Sequence, residues 1–171
     1  MLSKKIEVAL NDQIAKEAYA SNSYLSMASW CETKSFKGAT GFLYKQSEEE
    51  RVHMLKLVKY VNAAGGHALV PALKEPLATY KSLEHVFEVS IVQEKGVTKS
   101  INDLVELTFS TKDYATFNFL QWYVAEQHEE ESLFKTILDI ISHGGKDDKN
   151  ILIVDNEIAK IRDEEVKEEK E

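Results

Sequence analysis

The sequence predicts an all-α chain: four long helices in a bundle, a long crossover between the second and third, and a short fifth helix at the C-terminus. Three observations carry this. Apolar residues recur in alternating steps of three and four through four separate stretches. Proline is confined to Pro71 and Pro76, so the remaining stretches run unbroken. Valine and isoleucine do not gather into the short alternating runs of strands.

The first helix is expected from about Ser3, a residue that caps helix N-termini, to Thr33. Its inward stripe reads Leu10, Ile14, Glu17, Ser21, Tyr24, Ala28 and Cys31. Lys34 to Gly41, with Gly38 nearby, reads as a turn. The second helix then runs from about Ala39 to Ala64, with Leu43, Ser47, Glu50, Met54, Leu57 and Val61 inward. Gly65 and Gly66 end it, because glycine tolerates the left-handed cap conformation.

His67 to Lys81 contains both prolines and no helical period. About fifteen residues is too long for a hairpin between neighbouring helices. A segment of that length can travel the height of a bundle, which makes the second and third helices parallel. The third helix spans about Ser82 to Phe109, with Phe87, Ile91, Glu94, Thr98, Ile101, Val105 and Thr108 inward. After a turn at Ser110 to Asp113, the fourth extends to about His143 and stops at Gly144-Gly145. Its stripe is Leu120, Tyr123, Gln127, Glu130, Phe134, Ile137 and Ile141.

Lys146 to Asn150 reads as a polar linker, and Ile151 to about Arg162 as the fifth helix, with Ile151, Val154, Ile158 and Ile161 on one side. The tail from Asp163 to Glu171 is nearly all charged and is expected to fray. Residues 1–145 thus form the bundle, and 146–171 the fifth helix and tail. That helix has no place in a closed four-helix core, so it is expected on the bundle's end or against neighbouring subunits.

The 171 residues suit one core, and 43% apolar with 29% charged residues is ordinary for a globular protein. A net charge of −8 argues against nucleic acid as a partner, since phosphate binding needs basic patches. No apolar run approaches a membrane span, and Met1 to Ala9 has no signal-peptide core, so a cytoplasmic location is expected. Cys31, the one cysteine, supports neither a disulfide nor a thiolate metal cluster.

The stripes hold an anomaly. Glu17, Glu50, Glu94 and Glu130 each sit mid-helix with apolar stripe residues about one turn away on both sides. His53 follows Glu50 by three residues and points into the same sector. Four ionised carboxylates at one level of a core would repel and be poorly solvated, unless cations neutralise them. Oxygen-rich ligands with one imidazole favour iron or manganese. Glu50 is placed to bridge two ions. Glu17 and His53 complete the first, and Glu94 and Glu130 hold the second. Gln127 is a neutral ligand or hydrogen-bond donor, and Tyr24 orients a ligand or donates an electron. Glu49, Glu126 and Glu129 surround these positions as candidates for a third ion.

With these residues in place, the chain resembles the non-haem bacterial ferritins of the ferritin-like superfamily over nearly its whole length. The stretches that carry the resemblance are Glu17 to Tyr24, Ser47 to His53 and Phe119 to Glu130. It implies a ferroxidase centre: Glu17, Glu50 and His53 at the first iron, Glu50, Glu94 and Glu130 at the second, and Glu49, Glu126, Glu129 and Glu130 at a third. Tyr24 and Gln127 match the family's supporting pair. It also implies a shell of twenty-four identical subunits, with two to three iron ions per subunit. Ferrous iron would be oxidised there by oxygen or hydrogen peroxide and stored as ferric mineral. Haem is not expected, because Arg51 follows Glu50 and the fourth helix carries Gln127-x-x-Glu130 in place of a second Glu-x-x-His. Where animal shells line a three-fold channel with acidic residues, this chain has Phe117 and Leu120. A rubrerythrin-like peroxidase would need more cysteines, a DNA-binding mini-ferritin would lack the fifth helix, and a non-catalytic shell subunit would lack this ligand set.

Overall fold

The computed structural model describes residues 2–144 and 148–168. Five helices follow in order: α1 Lys4–Thr33, α2 Lys37–Ala63, α3 Leu83–Ser110, α4 Tyr114–Gly144 and α5 Asp148–Glu168. Ser3 caps α1 by accepting from Ile6 N, and Ser82 caps α3 by accepting from His85 N. Asp113 caps α4 through Thr116 N, a role hidden in the expected turn. Gly65 takes a φ of 82° just past α2, the left-handed conformation expected there.

The crossover can be followed along α1 by its hydrogen bonds. Leu2 N donates to Ala64 O, so the start of α1 meets the end of α2 and the two are antiparallel. Asn11 then holds His67 and Leu69, and Ser26 Oγ, fifteen residues further along α1, donates to Leu77 O. Tyr80 ends the climb edge-on against Trp30. Helix α3 therefore begins where α2 began, and the two run parallel.

Two apolar clusters fill the bundle. One holds Tyr24, Met27, Phe42, Phe87, Phe134 and Ile137. The other holds Leu10, Ile14, Leu57, Val61, Ile101 and Leu120. Between them lies a buried polar level formed by Gln13, Glu17, Gln46, Glu50, His53, Glu94, Gln127 and Glu130.

Two expectations shift. Helix α2 begins at Lys37, so Gly38 and Gly41 lie inside it and the turn is shorter. Helix α5 runs from Asp148 to Glu168, longer than its apolar stripe, because the acidic and basic residues beyond Ile161 are good helix formers. The expected linker therefore begins α5 at Asp148, while its residues 146–147, Gly145 and the last three residues of the tail lie outside the described residues. Leu120 is wholly buried in the second cluster, so it cannot line a channel. Phe117, the other residue at those positions, is half-buried.

Helix α5 packs across the end of the bundle, where Val154 and Ile158 join the first cluster. Its buried Asp155 accepts from Gly38 N at 2.9 Å and Ala39 N at 2.8 Å, so a carboxylate from α5 caps α2. The fit requires glycine at position 38. A Cβ there would lie 1.8 Å from the carbonyl oxygen of Asp155.

Candidate metal centre

Each inward carboxylate is delivered by a different helix: Glu17 by α1, Glu50 by α2, Glu94 by α3 and Glu130 by α4. All four are buried, as is His53. Glu17, Glu50 and His53 each bring a ligand atom within 4.8 Å of the others. His53 Nδ1 lies 3.2 Å from Glu50 Oε2, and its Nε2 lies 3.5 Å from Glu126 Oε1. Trp122 and Tyr123 pack edge-on to the imidazole, and Tyr123 donates its hydroxyl to the carbonyl of His53 at 2.8 Å.

Neutral donors hold the carboxylates. Gln13 Nε2 donates to Glu17 Oε1 at 2.8 Å, and Gln46 Nε2 to Glu130 Oε2 at 2.8 Å. Tyr24 donates its hydroxyl to Glu94 Oε1, and Gln127 Nε2 donates to Glu94 Oε2 at 3.1 Å. Gln127 also reaches Thr98, whose hydroxyl donates to Glu131. Glu17 Oε2 and Glu50 Oε1 remain buried without a hydrogen-bond partner. Such oxygens are costly in a core. Both belong to the cluster that also offers an imidazole nitrogen, a donor set that suits a divalent ion.

The electrostatics agree. Burial, with the charges of Glu17 and Glu94, pushes Glu50 well above the carboxylate range, against the pull of His53. Burial raises Glu94 to about 7, although the bonds from Tyr24 and Gln127 oppose it. For His53, burial alone would lower the value, but the bonds to Glu126 and Glu50 and nearby carboxylate charge outweigh it and carry it up to about 11. Burial likewise drives the Tyr24 hydroxyl well above its usual value. The metal-free centre therefore holds protons that an arriving cation must displace.

The residues expected at a third ion are less enclosed. Glu126 is 29% exposed in its side chain and rests against His53. Glu49 is half-buried, Glu129 is exposed, and Glu130 is turned to Gln46. Gln13 and Gln46 are not among the residues expected at the site. Each lies four residues before an inward glutamate, on the same helix face, and that spacing was a usable signal.

Fold and site together define a helical bundle with a carboxylate-rich candidate metal centre in its core. Residues 7–143 match the family described as a ferritin-like domain. The chain belongs to the ferritin family. It is 48% identical to a bacterial non-heme ferritin of Campylobacter jejuni, over 94% of this chain and 96% of that one. It is 45% identical to a probable bacterial non-heme ferritin-like protein of Haemophilus influenzae, over 94% and 98% respectively. An open pore ferritin from the archaeon Archaeoglobus fulgidus superposes with a TM-score of 0.90 at 39% identity, covering 93% of this chain and 98% of that chain.

Proposed function

We propose that the protein stores iron and is a ferroxidase, oxidising ferrous ions at the buried centre before they enter a ferric mineral. The observation that carries this is the pair of unpartnered buried oxygens, Glu17 Oε2 and Glu50 Oε1, within one ligand cluster with His53. Two ferrous ions are the substrates. Glu17, Glu50 and His53 hold the first, and Glu50, Glu94 and Glu130 the second. Each ion gives one electron to oxygen, which leaves with two protons as hydrogen peroxide. Peroxide is the alternative oxidant.

The chain's own groups do the positioning. Glu126 engages Nε2 of His53, which leaves Nδ1 for the ion. Tyr24 and Gln127 steady Glu94 between them. Protons on Glu50, Glu94 and His53 leave as the cations arrive. Glu49, Glu126, Glu129 and Glu130 form a third, looser ion position, with Gln127 beside it. The same reading includes a shell of twenty-four identical subunits around the mineral and a location in the reducing cytoplasm, where ferrous iron persists. It includes no haem, no nucleic acid and no membrane partner. Among the described residues, no helix is long and apolar enough to cross a membrane.

Stopped-flow absorbance after ferrous addition tests the proposal. Glu50→Ala is expected to lose fast oxidation by 100-fold or more while the protein still assembles. An unchanged initial rate would overturn it. Glu126→Ala is expected to change the number of ions bound per subunit or the rate of reoxidation. Unchanged values for both would remove the third position.

A further inference from the structure

Glu17 uses its two oxygens differently. Oε1 accepts from Gln13 Nε2, and Oε2 has no hydrogen-bond partner. Gln13 is wholly buried, so both ends of its amide must be satisfied within the protein. Its Oε1 accepts from Ser100 Oγ at 2.5 Å, and Ser100 Oγ accepts from Lys16 Nζ. Ser100 lies on α3 and is buried, whereas Lys16 stands on the exposed side of α1. A continuous chain thus joins an ammonium at the α1–α3 surface to the carboxylate at the centre.

Chemistry fixes the direction of that chain. An ammonium can only donate, so Ser100 presents a lone pair to Lys16, and its proton remains free to meet the carbonyl of Gln13. A carboxylate can only accept, so Gln13 must present its NH2 to Glu17. The reversed amide would set a carbonyl against a carboxylate with no proton between them. The orientation of Gln13 is therefore dictated from the Glu17 end, and Ser100, held by Lys16, completes it by donating to the carbonyl. With Oε1 engaged, Oε2 is the oxygen left for an ion, and Glu17 is held to binding through one atom.

We infer that Lys16, Ser100 and Gln13 are positioning residues for the first ion, selecting which oxygen of Glu17 it meets. The inference rests on reading Glu17, Glu50 and His53 as a metal site. Losing an outer partner of a metal ligand typically weakens binding by about 10–100-fold. Gln13, which touches Glu17, belongs in that range. Ser100, one bond further out, is worth about tenfold on the same scale, and Lys16 a few-fold.

The test is calorimetric titration with Co2+, with the visible absorption of the bound ion followed in parallel. Gln13→Leu, Ser100→Ala and Lys16→Met are expected to weaken the Glu17 step in that order. The absorption of the first equivalent should change as Glu17 swings to offer both oxygens. Ser100→Thr and Lys16→Arg keep the donors and are expected to restore both signals, which a general loss of stability would not do. Wild-type isotherms and spectra in Ser100→Ala and Lys16→Met would overturn the inference, as would losses that the conservative variants leave unrestored. If Gln13→Leu does not fold, those two variants decide. If the wild-type protein takes up no Co2+, the metal-site reading fails and the inference falls with it.

Discussion

Phe134 and Glu50 are equally buried, at 0% exposure, yet they sit in regions built to different rules. Around Phe134, Tyr24 stacks at 5.6 Å and Phe42 meets the ring edge-on at 5.7 Å. Such contacts are complete without anything else. Around Glu50, the level that crosses all four helices is filled with carboxylates, amides and one imidazole, and two oxygens remain without partners. The apolar clusters are complete in themselves, while the polar level between them holds the candidate ligand group Glu17, Glu50 and His53. Between the clusters, neutral donors hold Oε1 of Glu17, Oε2 of Glu130 and both oxygens of Glu94.

On the apolar side, Phe134→Ala should have the largest effect on stability. A large-to-small change in a packed aromatic cluster costs about 3–5 kcal/mol. Denaturant unfolding is expected to show that loss with and without metal. A loss seen only in the metal-loaded protein would mean the clusters depend on the centre.

Glu50→Gln approaches from the polar side. Glu50 is driven towards its neutral, protonated form by burial and by the charges of Glu17 and Glu94, and glutamine is a neutral side chain of the same shape, so the metal-free variant is expected to unfold no earlier than wild type. It should, however, lose stabilisation by Co2+, which for wild type reaches about 2.7 kcal/mol at a hundred times the dissociation constant. Equal stabilisation of both proteins would mean that the ion binds elsewhere.

The dependence on pH sharpens the contrast further. Burial raises Glu94 from an ordinary 4.5 to about 7, and the carboxylates beside His53 raise it from 6.5 to about 11 despite its burial. A raised folded value means that the folded state binds protons more tightly than the unfolded one. Stability from Glu94 is full below pH 4.5 and lost as pH rises through about 7. That from His53 is full below 6.5 and lost towards about 11. The metal-free protein should therefore unfold at lower denaturant at pH 8 than at pH 5, and metal should reverse the trend. A metal-free midpoint that rises over this interval would contradict these assignments.

The smallest effect lies at the end of the bundle. Asp155→Asn weakens a charged cap on α2 and is expected to cost about 1 kcal/mol, leaving Co2+ uptake unchanged. Altered uptake would show that the seat of α5 and the centre are coupled.

Much of this was legible because helical period reports burial directly. Glu17, Glu50, Glu94, Gln127 and Glu130 fell on apolar stripes, and all are buried in the structure. Leu120 shows the same rule from the other side. It belonged to the stripe of α4, and it is wholly buried in the second cluster, where animal shells were expected to carry an acidic channel residue. Asp155 was not legible, since its role arises only when α5 docks on α2, a contact 117 residues apart in sequence. The chain from Lys16 through Ser100 to Gln13 was hidden for a similar reason, because it crosses between α1 and α3. The end of α5 escaped because periodicity stops with the apolar residues, whereas helix propensity carries the backbone on to Glu168.

The most direct measurement is anomalous diffraction at the iron edge from crystals soaked anaerobically in ferrous iron. The expected result is a peak bounded by Glu17 Oε2, Glu50 Oε1 and His53 Nδ1, with a second between Glu50, Glu94 and Glu130. Iron found only on surface carboxylates, with no peak at this level of the bundle, would contradict the account.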